Sequence, residues 1–179
     1  MNETHAPQAI TGGDPRLWFD RVPFMKLLGM QRNHSQDGRA QLVLHMRAEL
    51  GNVIGSMHGG AVATLLDVAM ASAAVSARNF QCTAVTLNMN SAFITPGRGL
   101  LTADAVCLGE TDGVAWCSAE VTDETGHTVA RAQGSFRYLP LPVSPASPES
   151  PESPDPAASP APIAATAPFT APSTAPVPT

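Results

Sequence analysis

One carboxylate, Asp67, interrupts a run from Ala61 to Ala77 that is otherwise Ala, Val, Leu, Met, Ser and Thr. An acid on so apolar a segment is costly to bury unless something uses or pairs it. Asp67 is therefore the first candidate for chemistry, either attacking an electrophilic carbon directly or activating water as a general base. The run is preceded by Gly51-Asn52-Val53-Ile54-Gly55-Ser56-Met57-His58-Gly59-Gly60. Gly59 and Gly60 fall where a helix would begin, with backbone N–H groups that lack intrahelical acceptors. Such an end favours an anion or a developing oxyanion, and glycine lets a ligand approach closely. The Gly59 N–H is the candidate donor, and Gly60 reads as a residue for close packing. At helical rise, Asp67 lies ~12 Å beyond Gly59, too far for both to act on one carbon within one chain. Two copies of the helix, antiparallel about a two-fold axis, would bring the acid of one to the amide of the other, so a homodimer with shared sites is expected.

The pattern Asn52…His58-Gly59-Gly60…Leu66-Asp67, followed by Val85-Thr86-Leu87-Asn88-Met89-Asn90, resembles the hotdog-fold acyl-CoA thioesterases of the PaaI type over residues 18–138. The resemblance implies an α+β hotdog fold, with an antiparallel sheet of five to six strands wrapped around one long central helix. It implies hydrolysis of an acyl- or aryl-CoA thioester to free acid and CoA. No metal or redox cofactor is implied, since CoA is part of the substrate. The assembly implied is a dimer, paired in some members into a tetramer. Asn52 would orient the thioester or the water, and Thr86 would hold the water. His58 and Gly60 would border the substrate, the backbone at His58 counting for more than its ring. Met57, Leu66 and Phe93 would line the acyl pocket. Arg98 is the candidate to meet the CoA phosphates, with Arg78, Arg131 and Arg137 as weaker candidates, and a plain solvated arginine is the competing reading for each. The family handles aromatic acids of phenylacetate catabolism as well as fatty acyl groups.

Other readings stay open. Asn52 suits a turn and Thr86 an ordinary strand position. A hydratase or dehydratase on the same fold would pair a histidine, here His58, with an acid. A non-catalytic acyl-CoA-binding protein is a further alternative, in which the Pro-rich tail could dock a partner.

The elements that must position these residues can be read in order. Residues 1–13 are polar and glycine-ended, and disorder is expected there. Asp14-Pro15 reads as a helix cap followed by proline at the first helical position, and Pro23 interrupts the apolar segment that follows. In the resembled family such a segment can border the acyl pocket. Strands are expected over Gly29–His34 and Arg39–Arg47, joined by a tight turn at Asp37-Gly38. The central helix should be buried on most sides. Strands then follow over Thr83–Phe93, Leu100–Leu108, Val114–Thr122 and Thr128–Tyr138, with Gly109–Gly113 as a connection. The domain thus spans 14–138.

The chain has 179 residues, 44% of them hydrophobic, and a formal net charge of −5. Nothing resembles the clustered Lys and Arg of a nucleic-acid surface. Thirteen of the 17 prolines lie beyond residue 138 among Ala, Ser and Thr, and such a tail (139–179) is expected to be disordered. Three cysteines, an odd number without metal-site spacing, are expected as reduced thiols in a cytoplasmic protein. The five histidines lack ligand spacing for a metal. The N-terminus lacks a charged-then-apolar leader pattern, and the apolar run, broken by Asp67 and its glycines, is a poor membrane span.

Overall fold

The computed structural model describes residues 8–143. Short 3-10 turns at Pro15–Leu17 and Phe19–Arg21 lead into helix α1 (Pro23–Leu28). Asp14 Oδ1 accepts the Arg16 N–H, as the Asp-Pro signal implies. Strands β1 (Gln31–Gln36) and β2 (Arg39–His45) follow, then a 3-10 turn (Ala48–Leu50) and the long helix α2 (Gly59–Ala77). Strands β3 (Thr83–Phe93), β4 (Leu100–Thr111), β5 (Val114–Thr122) and β6 (Thr128–Leu139) complete the chain. All pairings are antiparallel, in the order β1-β2-β4-β5-β6-β3. This six-stranded sheet packed on one helix is the expected hotdog arrangement.

The strand limits depart from expectation for local reasons. Gly29 takes φ +70 as the left-handed cap of α1, so β1 cannot start there and begins at Gln31. The Asp37-Gly38 turn forms with φ 51 and 75, the twist a two-residue hairpin needs. A second Asp-Gly turn, Asp112-Gly113 with φ 52 and 74, lets β4 run on to Thr111. The register shift between Cys107 and Gly109 is absorbed as a bulge inside the pairing, so Gly109 belongs to the strand and not to a connection.

Alternation along the strands supplies one side of the core. Ala40, Leu42 and Leu44 of β2 and Ala115, Cys117, Ala119 and Val121 of β5 all point to the helix side and are buried. On α2 the buried positions Val62, Leu65, Leu66, Ala69, Met70, Ala73 and Ala74 recur at helical spacing. The expectation of a helix buried on most sides is therefore corrected. The sheet covers one face, while Ala63, Thr64, Asp67, Val68, Ala71 and Val75 stay half-buried on the other. That second face is nearly as apolar as the first. Although α2 has the length and hydropathy of a membrane span, more than half of it is buried in the fold, as in a core helix.

Hydroxyls pin the helix to the sheet. Ser76 Oγ accepts the Gly38 N–H at 3.1 Å, Ser35 Oγ donates to the Ser72 carbonyl at 2.9 Å, and Tyr138 Oη donates to the Ala74 carbonyl at 3.0 Å. Part of the N-terminal stretch expected to be disordered is also held: the Gly12 carbonyl accepts from Trp18 Nε1 and Arg21 Nη1. The expectations for residues 1–7 and for 144–179 lie outside the described residues.

Gly134 in β6 sits where the structure leaves no room for a side chain. A Cβ there would meet the Asn88 carbonyl at 2.9 Å and the Phe136 ring at 3.1 Å. The carbonyl is backbone and cannot swing away, so Gly134→Ala should cost about 1–3 kcal/mol. Denaturant unfolding of the variant against the native chain measures it.

Candidate active site

Asp67 sits at mid-helix on the face the sheet leaves uncovered. Strand β3 passes there, and Thr86 Oγ1 donates to Asp67 Oδ1 at 2.7 Å. Thr86 adjoins the register shift between Thr86 and Asn88, and such irregularities re-aim side chains next to sites. The pair opens into a cavity of about 680 Å³ bounded by α2, β3 and the N-terminal segment. Trp18, Phe19, Val22, Val68, Ala71, Val75 and Phe80 make its walls mainly apolar. The N-terminal segment thus borders the cavity that Asp67 opens into. Cys82 also lines it, but burial raises its thiol pKa, so Cys82 is a poor nucleophile there.

Gly59 opens a different cavity of about 320 Å³ that it shares with Asn52, Met57, Val62 and Phe93. The two halves of the sequence-derived site thus face separate spaces within one protomer. His58 is the N-cap of α2, and its Nδ1 accepts the Gly60 N–H at 2.9 Å. Ala61 and Val62 donate to the His58 carbonyl. Of the first N–H groups of the helix, the one at Gly59 is left without an acceptor among the described residues. A donor fixed on a helix end and left open suits an oxyanion.

Asn52 is used within its own loop. Its Oδ1 accepts the Ile54 and Ser56 N–H groups, and its Nδ2 donates to Ser56 Oγ and the Met57 carbonyl. All four hydrogen-bonding positions of the amide are thereby filled. Asn52 thus serves its own turn, and it also borders the cavity at Gly59. Leu66, expected in the acyl pocket, is fully buried and borders neither cavity, because it lies on the sheet-facing side of α2. Met57 and Phe93 do line a cavity, but it is the one at Gly59. Arg98 is exposed and touches neither cavity. Arg78 and Arg131 are spent on Glu110 and Glu120, each at 2.8 Å, and Arg137 is exposed in β6. No group of His, Cys, Asp and Glu able to hold a metal occurs among the described residues.

A family model described as a domain of unknown function (DUF4442) matches residues 16–137. The chain belongs to the DUF4442 family. A stretch of 131 residues is 35% identical to a Halobacterium salinarum protein named "Putative esterase", covering 67% of this chain and 87% of the relative. The conserved protein PA5202 from Pseudomonas aeruginosa superposes with a TM-score of 0.63 at 33% identity, over 66% of this chain and 94% of that one. The PaaI protein of the Escherichia coli phenylacetic acid degradation operon superposes with a TM-score of 0.65 at 24% identity, over 71% and 91%. That likeness establishes the hotdog fold for this DUF4442 chain and nothing narrower.

Sequence reasoning missed Arg32 and Phe80, which also line the Asp67 cavity. Both lie in segments without a motif, and only the folding of β1 against the end of α2 brings them to it. The cap assigns His58 a structural role. His58→Ala should cost about 1 kcal/mol of stability and His58→Asn should restore most of it, as thermal unfolding of the two variants will show.

Proposed function

We propose that this chain is an acyl-CoA thioesterase that hydrolyses an acyl- or aryl-CoA thioester to the free acid and CoA. The observation that carries the proposal is the Thr86–Asp67 hydrogen bond at the edge of an apolar cavity. Thr86 spends its proton on Oδ1. Its oxygen is left to accept from a water, and Asp67 Oδ2 is left to take that water's proton. The water oxygen attacks the thioester carbon, and the carbonyl electrons move to oxygen, where the Gly59 N–H of a second protomer receives the charge. Collapse of the intermediate breaks the carbon–sulfur bond, and the thiolate takes the proton held by Asp67. The name of the Halobacterium relative and the resemblance to PaaI-type enzymes support carbonyl hydrolysis. We favour the general-base role for Asp67 because Thr86 is placed to orient a water beside it.

The homodimer is part of the proposal. β3 pairs with β6 on one side only, and its other edge has no partner among the described residues. At eleven residues, with Val85 and Leu87 exposed, it is the kind of edge a second chain covers. Packing β3 on β3 would also set the uncovered faces of two α2 helices together, and a further pairing into tetramers is compatible with it. The cytoplasm suits three free thiols. A hydratase reading is disfavoured because the His58 ring is committed to the helix cap.

Asp67→Asn should lower turnover of a panel of acyl-CoA esters, followed by free-thiol release, by about 10²–10⁴-fold with the fold intact. Thr86→Val should lower it about tenfold to a hundredfold. Full activity in Asp67→Asn would remove the mechanism.

A further inference from the structure

The Asp67 cavity contains a cation that the reaction does not use. Arg32 reaches it from β1, with its guanidinium 5.0 Å from the centroid of the Phe19 ring and 5.6 Å from that of Phe80. Stacking of this kind fixes a planar cation in place. Phe80 takes a left-handed conformation, φ +59, just past the end of α2, which is unfavourable for a bulky side chain. Among the described residues the Arg32 side chain hydrogen-bonds to the Arg16 carbonyl alone, and no carboxylate lies within ion-pair distance of it. A guanidinium carries five N–H donors, so most of them are left for water or a ligand. Burial pulls its pKa below the ordinary arginine value, and Asp20 nearby offsets this only in part. A half-buried arginine that no carboxylate contacts within ion-pair distance is the partner that a ligand carboxylate fits bidentately.

The shape of the cavity sets what could bring that carboxylate. Its wall runs along α2 from Asp67 through Ala71 to Val75, a reach of ~12 Å along the helix axis. Phe80 follows the end of α2 and bonds back to the Val75 carbonyl through its N–H at 3.0 Å. The acid and its threonine therefore mark one end of an apolar slot, and the ring that stacks on Arg32 marks the other.

We propose that Arg32 determines the acyl specificity of this site by receiving a carboxylate at the far end of the acyl group, so that mono-CoA esters of dicarboxylic acids are preferred over plain fatty acyl-CoA. The proposal rests on the thioesterase reading and adds the substrate class. Octanoyl-CoA and suberyl-CoA have acyl groups of equal carbon number that differ in a terminal carboxylate. The native chain should show a kcat/KM for suberyl-CoA about tenfold to a hundredfold above that for octanoyl-CoA, the worth of one charge-assisted hydrogen-bonded pair. Arg32→Met should abolish that preference, and Arg32→Lys should keep part of it. A native preference for octanoyl-CoA, or a preference that Arg32→Met leaves unchanged, overturns the assignment. Calorimetry with suberic acid monoamide and octanamide reads the slot without turnover, a neutral amide standing where the thioester would be. Tighter binding of the monoamide by the native chain supports the assignment even if neither thioester is cleaved, a result that would count against the thioesterase reading alone. Equal binding of the two amides overturns it.

Discussion

A rigid helix fixes the distance between its own residues, and that constraint governs this molecule. Gly59 and Asp67 belong to one uninterrupted α2, so they are held ~12 Å apart along its axis and no side-chain rotation can merge them. Within a protomer they open into separate cavities. Each is chemically half-made: an N–H without an acceptor at one, a carboxylate with an orienting hydroxyl at the other. The two-fold pairing proposed above resolves the distance without bending the helix, since an antiparallel copy exchanges the ends.

The rest of the fold serves that helix. Its buried face fits the inward residues of β2 and β5, and hydroxyl bonds from Ser35, Ser76 and Tyr138 fix its turn and height. At its start, Asn52 Oδ1 accepts the Ile54 and Ser56 N–H groups of the loop, and His58 Nδ1 accepts the Gly60 N–H of the first helical turn. At its middle, β3 delivers Thr86 to the carboxylate and leaves its own outer edge unpaired. The half-exposed positions Ala63 and Thr64 line neither cavity. A second helix packed against them would bury them and place the missing half of each site.

How much of this could be read from the chain depended on whether the signal was local. The Asp-Gly turn at 37–38, the alternation of Leu42 and Leu44 with Gln41 and His45 in β2, and the glycine-opened apolar helix are local patterns, and the elements and their order follow from them. Asp67 and Gly59 stood out by type and spacing, Thr86 only through the family resemblance, and the structure joins Asp67 to Thr86 directly. Leu66 was misplaced because an apolar residue on an apolar helix carries no mark of which face it occupies. Asn52 was ambiguous because the same amide that could hold a substrate can fill its own turn. Arg32 and Phe80 were invisible because their meeting is set by tertiary packing across 48 positions of chain, and the left-handed conformation of Phe80 has no sequence signature.

The most direct test of the shared site uses mixed dimers. Asp67→Asn removes the acid, and Gly59→Pro removes the amide donor at a position where proline suits a helix start. Each variant alone should be nearly inactive. Co-expressed, they should recover about a quarter of native turnover, because half of the dimers are mixed and each mixed dimer rebuilds one intact site from the two chains. Mixtures that stay as inactive as either parent, with mixed dimers shown to form, would contradict a site built across two protomers.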